Sequence, residues 1–77
     1  MVSEQEYIIT LGTRIRQLRE EREISQQALA DICNMPKSTI GRIERGNVSV
    51  TIKSIVKIAN ALEIEPLEIF TFKNSSK

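Results

Sequence analysis

The chain has 77 residues and a net charge of +1, from 11 Lys and Arg against 10 Asp and Glu; 40% of its residues are hydrophobic. That length allows one domain with a small core. A single cysteine excludes an internal disulfide and favours a reducing cytosol, and the absence of histidine excludes a His-activated nucleophile.

The acidic start, Ser3-Glu4-Gln5-Glu6, lacks the apolar stretch of a signal peptide. No apolar run approaches the roughly 18–20 residues that a membrane span needs. Ser3 and Glu6 form a capping-box pattern, and Ile8, Leu11, Ile15 and Leu18 recur at helical spacing, so the sequence predicts an amphipathic helix over about 4–22. Gly12 inside it predicts a less regular first half, because glycine costs about 1 kcal/mol relative to alanine there. Ser25 is placed to cap a second helix, Gln26 to Cys33, with Ala28, Leu29, Ile32 and Cys33 on its apolar side.

Asn34 suits the left-handed residue that ends that helix, and Pro36 suits the first turn of a third. The third helix runs to about Glu44 or Arg45, buries Ile40 and Ile43, and closes at Gly46. Thr51 caps a fourth with Ile55, Ile58, Ala59 and Leu62 inward, and Pro66 opens a short fifth carrying Leu67, Ile69 and Phe70. Residues 73–77 are a polar tail. With no strand pattern and no internal repeat, the expectation is an all-α, compact five-helix domain spanning 1–77.

The informative stretch is 26–45: a helix of about eight residues, a short turn and a second short helix, the helix-turn-helix arrangement. Ala30 is small where the two helices must cross, Asn34 accepts positive φ in the turn, and Leu29, Cys33, Met35, Ile40 and Ile43 fill the angle. Lys37, Ser38, Thr39, Gly41 and Arg42 then fall on outward positions of the second helix.

Four segments in order carry a family resemblance: Leu11-Gly12-Thr13-Arg14-Ile15-Arg16-Gln17-Leu18-Arg19, Ile24-Ser25-Gln26-Gln27-Ala28-Leu29-Ala30, Ser38-Thr39-Ile40-Gly41-Arg42-Ile43-Glu44-Arg45-Gly46 and Ile58-Ala59-Asn60-Ala61-Leu62. Over residues 9–70 the chain resembles the Cro/cI-type (XRE) family of lambda-repressor-like DNA-binding domains. It departs at Asn34, where the family commonly has Gly, and at Pro36, where it commonly has a hydroxyl or acidic cap.

The resemblance implies that the third helix enters the major groove, with Lys37, Ser38, Thr39, Gly41 and Arg42 reading bases. It also implies that Gln26, Arg45, Asn47, Thr51 and Lys53 hold the phosphate backbone, and that Arg19 and Glu44 form a structural ion pair between the first and third helices. Gly41 would allow close approach to DNA. Ser38 and Thr39 also fit as plain first-turn polar residues, and Lys53 with Lys57 as a solvated face. Cys33 reads as a small buried hydrophobe, with a redox switch as the alternative.

Ile64, Leu67, Phe70 and Phe72 exceed what a short terminal helix buries and are the candidate dimer interface. The expected function is a sequence-specific transcription regulator, a homodimer on double-stranded DNA with a pseudo-palindromic operator, acting in a bacterial or phage-infected cytoplasm. The size, and Thr51-Ile52-Lys53-Ser54-Ile55 after Arg45-Gly46, are similar to controller proteins of restriction-modification systems; phage- or plasmid-type repressors are nearly as close. An antitoxin or other protein-interaction module on the same fold is the alternative. No nucleophile–base pair, metal cluster or phosphate loop points to an enzyme, and nothing in the sequence signals a cofactor, metal, small-molecule ligand or membrane partner.

Overall fold

The computed structural model describes residues 3–71, and among them the secondary structure is five helices: α1 Glu4–Glu21, α2 Gln26–Cys33, α3 Lys37–Arg45, α4 Ile52–Leu62 and α5 Pro66–Ile69. Local chemistry sets most of the boundaries. The hydroxyls of Ser3, Ser25 and Thr51 accept from the backbone N–H groups of Glu6, Ala28 and Ser54, at 3.0, 3.0 and 3.1 Å. Each cap satisfies one of the donors that a helix start leaves without an intrahelical partner. Pro66 opens α5 as expected.

Pro36 takes the cap position that the resemblance gives it, not a place in the first turn. It stands ahead of the first turn of α3, with extended ψ of 145°, as the N-cap residue. It has no side chain that can cap, so the helix start is closed by its carbonyl, which accepts from Thr39 N at 3.0 Å. The turn before it is set by Asn34 at φ 58°, where Met35 N returns to Ala30 O at 2.9 Å.

Thirteen apolar side chains drawn from all five helices form the core, with Ile15, Leu29, Ala30, Ile58, Ala59 and Ile69 fully enclosed. In it α1 packs on α3 and α5, α2 on α3 and α4, and α4 on α5. Cys33 is buried among these residues; burial pushes its thiol pKa up, with Lys57 pulling weakly the other way, so it is a protonated packing group at neutral pH.

Two sequence expectations fail here. Ile32 is 60% exposed rather than on the apolar side of α2. At about 100° per residue, Leu29, Cys33 and Ala30 share one 100° arc and Ile32 lies about 60° outside it. Gly12 does not loosen α1, which is continuous through it. A Cβ on Gly12 would collide with the carbonyl oxygen of Ile43 and lie 2.8 Å from that of Glu44, so the glycine is what lets α1 lie directly against the backbone of α3. Gly46 serves a related end: at φ 73° it closes α3, and a Cβ on it would lie 2.7 Å from Cγ1 and 2.9 Å from Cα of Ile9.

Candidate nucleic-acid interface

Helix α3 is fastened by its inner face. Ile40 and Ile43 enter the core, and between them and the solvent lies Glu44, whose side chain is 2% exposed. Its carboxylate receives Arg19 in a two-point pair, Nε to Oε2 at 2.6 Å and Nη2 to Oε1 at 3.1 Å, while Arg19 Nη1 donates to Ile24 O at 2.8 Å. Hydrogen bonding to Glu44 raises the Arg19 pKa, against the opposing effect of its burial. The pair ties α1 to α3 across a buried contact. Gln5 Nε2 adds a second tie at the far end of α3, donating to Gly46 O at 3.1 Å.

The outer face of α3 has the opposite character. Lys37, Ser38, Arg42 and Arg45 are exposed and span an arc of about 140° around the helix. The side chains of Lys37, Arg42, Arg45 and, at the start of α4, Lys53 make no hydrogen bond or ion pair with any other described residue. Thr39 is half-buried and lies about 60° beyond the Arg42 side of this arc. Gly41 lies inside the arc but is buried rather than open, because the side chains of Arg45 and Gln26 cover it.

The residues expected on the phosphate backbone are placed around this face. Asn47, Thr51 and Lys53 are exposed in the loop after α3 and at the start of α4. The Thr51 hydroxyl is engaged in its cap, accepting from Ser54 N and donating to Ser54 Oγ at 3.1 Å. Gln26 is not a freely solvated side chain: its amide nitrogen donates to Glu44 Oε1 at 2.9 Å. A carboxylate only accepts, so this contact fixes which way the amide points.

Sequence reasoning missed the Gln26–Glu44 link, for which residues 18 apart give no signal. It also missed the role of Gly12. A glycine inside a strongly helical pattern was the available cue to a close backbone approach.

Of the apolar residues expected at a dimer contact, Leu67 is 74% exposed, Ile64 and Phe70 are half-buried against the core, and Phe72 lies outside the described residues. Among the described residues no group of three or more Cys, Asp or Glu could hold a metal ion, and no helix is long and apolar enough to cross a membrane.

Comparison with known proteins gives this geometry its context. A family profile described as helix-turn-helix matches residues 15–69. The chain is 34% identical over 65 residues to control protein C.BamHI of Bacillus amyloliquefaciens, covering 83% of this chain and 80% of that one. It is 33% identical over 57 residues to the immunity repressor protein of Bacillus phage phi105, covering 74% of this chain and 40% of the repressor. Its fold superimposes on the crystal structure of the restriction-modification controller protein C.AhdI from Aeromonas hydrophila with a TM-score of 0.81 at 40% identity, covering 82% of this chain and 96% of the other. With two fastened helices at the expected turn and a bare cationic face on the second, the chain belongs to the XRE-type helix-turn-helix family of DNA-binding transcription regulators.

Proposed function

We propose that the chain is a sequence-specific regulator that reads double-stranded DNA with α3 as a homodimer on a pseudo-palindromic operator, in the manner of a restriction-modification controller protein. The observation that carries this reading is the set of uncommitted cations at Lys37, Arg42, Arg45 and Lys53 on and beside a helix whose other face is locked to α1. A rigid helix with free donors on one side is suited to a major groove, whose base edges present acceptors at guanine O6 and N7.

Lys37, Ser38 and Arg42, with Thr39 at the margin, read bases; Gln26, Arg45, Asn47, Thr51 and Lys53 hold phosphates and set the register. Such a reaction-free role requires no cofactor and places the protein in the cytoplasm with its DNA. Two copies extend the site read beyond what one short helix covers, and the exposed Leu67 with its neighbours Ile64 and Phe70 supplies the apolar contact between them.

Selection of bound sequences from a random duplex pool tests this. Two inverted half-sites about 34–36 Å apart, centre to centre, are expected. An enriched site without two-fold symmetry would remove the dimer, and no enrichment would remove sequence-specific binding. Sedimentation of Leu67→Asp separates the contact itself: the wild type should run as a dimer and the variant as a folded monomer.

A further inference from the structure

Gln5, in the first turn of α1, donates its amide nitrogen to Gly46 O at 3.1 Å, across 41 residues of sequence. A carbonyl only accepts, so this contact fixes which way the Gln5 amide points. The carbonyl belongs to the peptide group that joins Gly46 to Asn47. The nitrogen of that same group, Asn47 N, donates to Arg42 O at 2.9 Å. One rigid peptide plane is therefore held at both ends, by α1 at its oxygen and by α3 at its nitrogen.

The chain beyond that plane is held less closely. Val48, Ser49 and Val50 make no backbone hydrogen bond with any described residue. Val48 and Val50 pack half-buried against the core, a contact with no direction of its own. An open cavity of about 620 Å³, lined by Ser3, Glu4, Tyr7, Ile8 and Ser49, lies between this loop and the start of α1. The direction in which the chain leaves α3 is thus set at the Gly46–Asn47 peptide, with space beside it for the loop to shift.

We infer that Gln5 is a positioning residue for DNA binding: its amide fixes the Gly46–Asn47 peptide and so aims the exposed Asn47 side chain at a backbone phosphate. The inference rests on the phosphate contact proposed for Asn47 and deepens it, adding a residue of α1 that touches no DNA. The Asn47 side chain makes no hydrogen bond with any described residue, so its aim comes from the backbone that carries it.

Gln5→Met keeps the length of the side chain and removes its donor. Binding to the selected operator and to a random duplex of the same length should weaken alike, by about three- to tenfold, with base preference kept at every position. The melting temperature should fall by no more than about 8 °C, the shift for one lost hydrogen bond in a domain of this size. The variant therefore stays folded in the binding assay.

Arg22→Met is the structural control. Arg22 ties the opposite end of α1, about 25 Å along the helix from Gln5, to a carbonyl in the same manner, Leu62 O at 2.9 Å. At that distance salt screens the charge it loses. This variant should lower the melting temperature to a similar extent and leave affinity for DNA unchanged. Asn47→Ala should weaken binding about as much as Gln5→Met, and the two together should cost little more than either, because both act on one contact. Added to Arg42→Ala, Gln5→Met should keep its full effect.

Wild-type affinity in Gln5→Met, a loss confined to one base pair, an equal loss in Arg22→Met, or effects that multiply in full with Asn47→Ala would each overturn the positioning role. Wild-type affinity in Asn47→Ala is a different result and would overturn the phosphate contact on which that role rests. Failure of the unmodified protein to bind any duplex would overturn the DNA-binding reading itself.

Discussion

Helix α1 with its cap carries four arginines, and the segment from α3 to the start of α4 carries four cations, yet the two sets are used in opposite ways. Arg14 donates to Glu68 O at 3.2 Å and Arg22 to Leu62 O at 2.9 Å, closing carbonyls of α5 and α4; Arg16 pairs with Glu20, and Arg19 with Glu44. Lys37, Arg42, Arg45 and Lys53 have no such partner among the described residues. The difference follows from what surrounds each charge. Acids and helix ends lie within reach of α1, whereas the only acid in α3, Glu44, faces inward and is already taken. Net charge therefore says little about this protein: five of its ten acids lie in residues 1–23, and the cationic face is exposed by folding.

Five variants, four single and one double, bear on that division. Glu44→Ala should be the most damaging, costing about 3–5 kcal/mol in chemical denaturation because it leaves Arg19 buried without its partner. The double change Arg19→Met with Glu44→Leu should recover most of that stability, since replacing both partners of a buried pair by apolar groups is often near neutral.

Gly12→Ala should cost about 1–3 kcal/mol by forcing α1 away from the carbonyls of Ile43 and Glu44, read as a lowered denaturation midpoint at unchanged slope. Arg42→Ala should leave stability within about 0.5 kcal/mol and remove about 1–3 kcal/mol of discrimination at one operator base pair. Arg16→Gln should do least, at most about 0.5 kcal/mol, since its pair with Glu20 is exposed on both sides. A large drop in stability from Arg42→Ala, or a large drop in affinity from Arg16→Gln, would erase the distinction between the two sets.

The sequence makes the helices legible because their signals are local. Ser25, Thr51 and Gly46 act within one turn of where they stand, and the spacing of Leu11, Ile15 and Leu18 needs only the helical period. Asn34 is legible for the same reason: its left-handed conformation is a property of the residue.

What depends on two distant segments is not legible from spacing. The periodicity of α2 cannot say where its partners end, so Ile32 reads as inward and is exposed. The penalty for glycine in a helix is visible at Gly12, but the carbonyls that require it are 31 and 32 residues away. Gly41 has the right angular position for an outward residue, and only the meeting of Gln26 and Arg45 above it shows that it is covered.

The salt dependence of operator binding tests the division between committed and free cations most directly. Arg45→Gln and Lys53→Gln should each lower the slope of log affinity against log salt by about 2 per dimer, near 0.9 for each phosphate no longer neutralised. Arg14→Gln and Arg16→Gln should leave that slope unchanged. Equal slopes for all four variants, or a fall on neutralising either α1 arginine, would contradict the assignment of the DNA-facing charge to α3 and the start of α4.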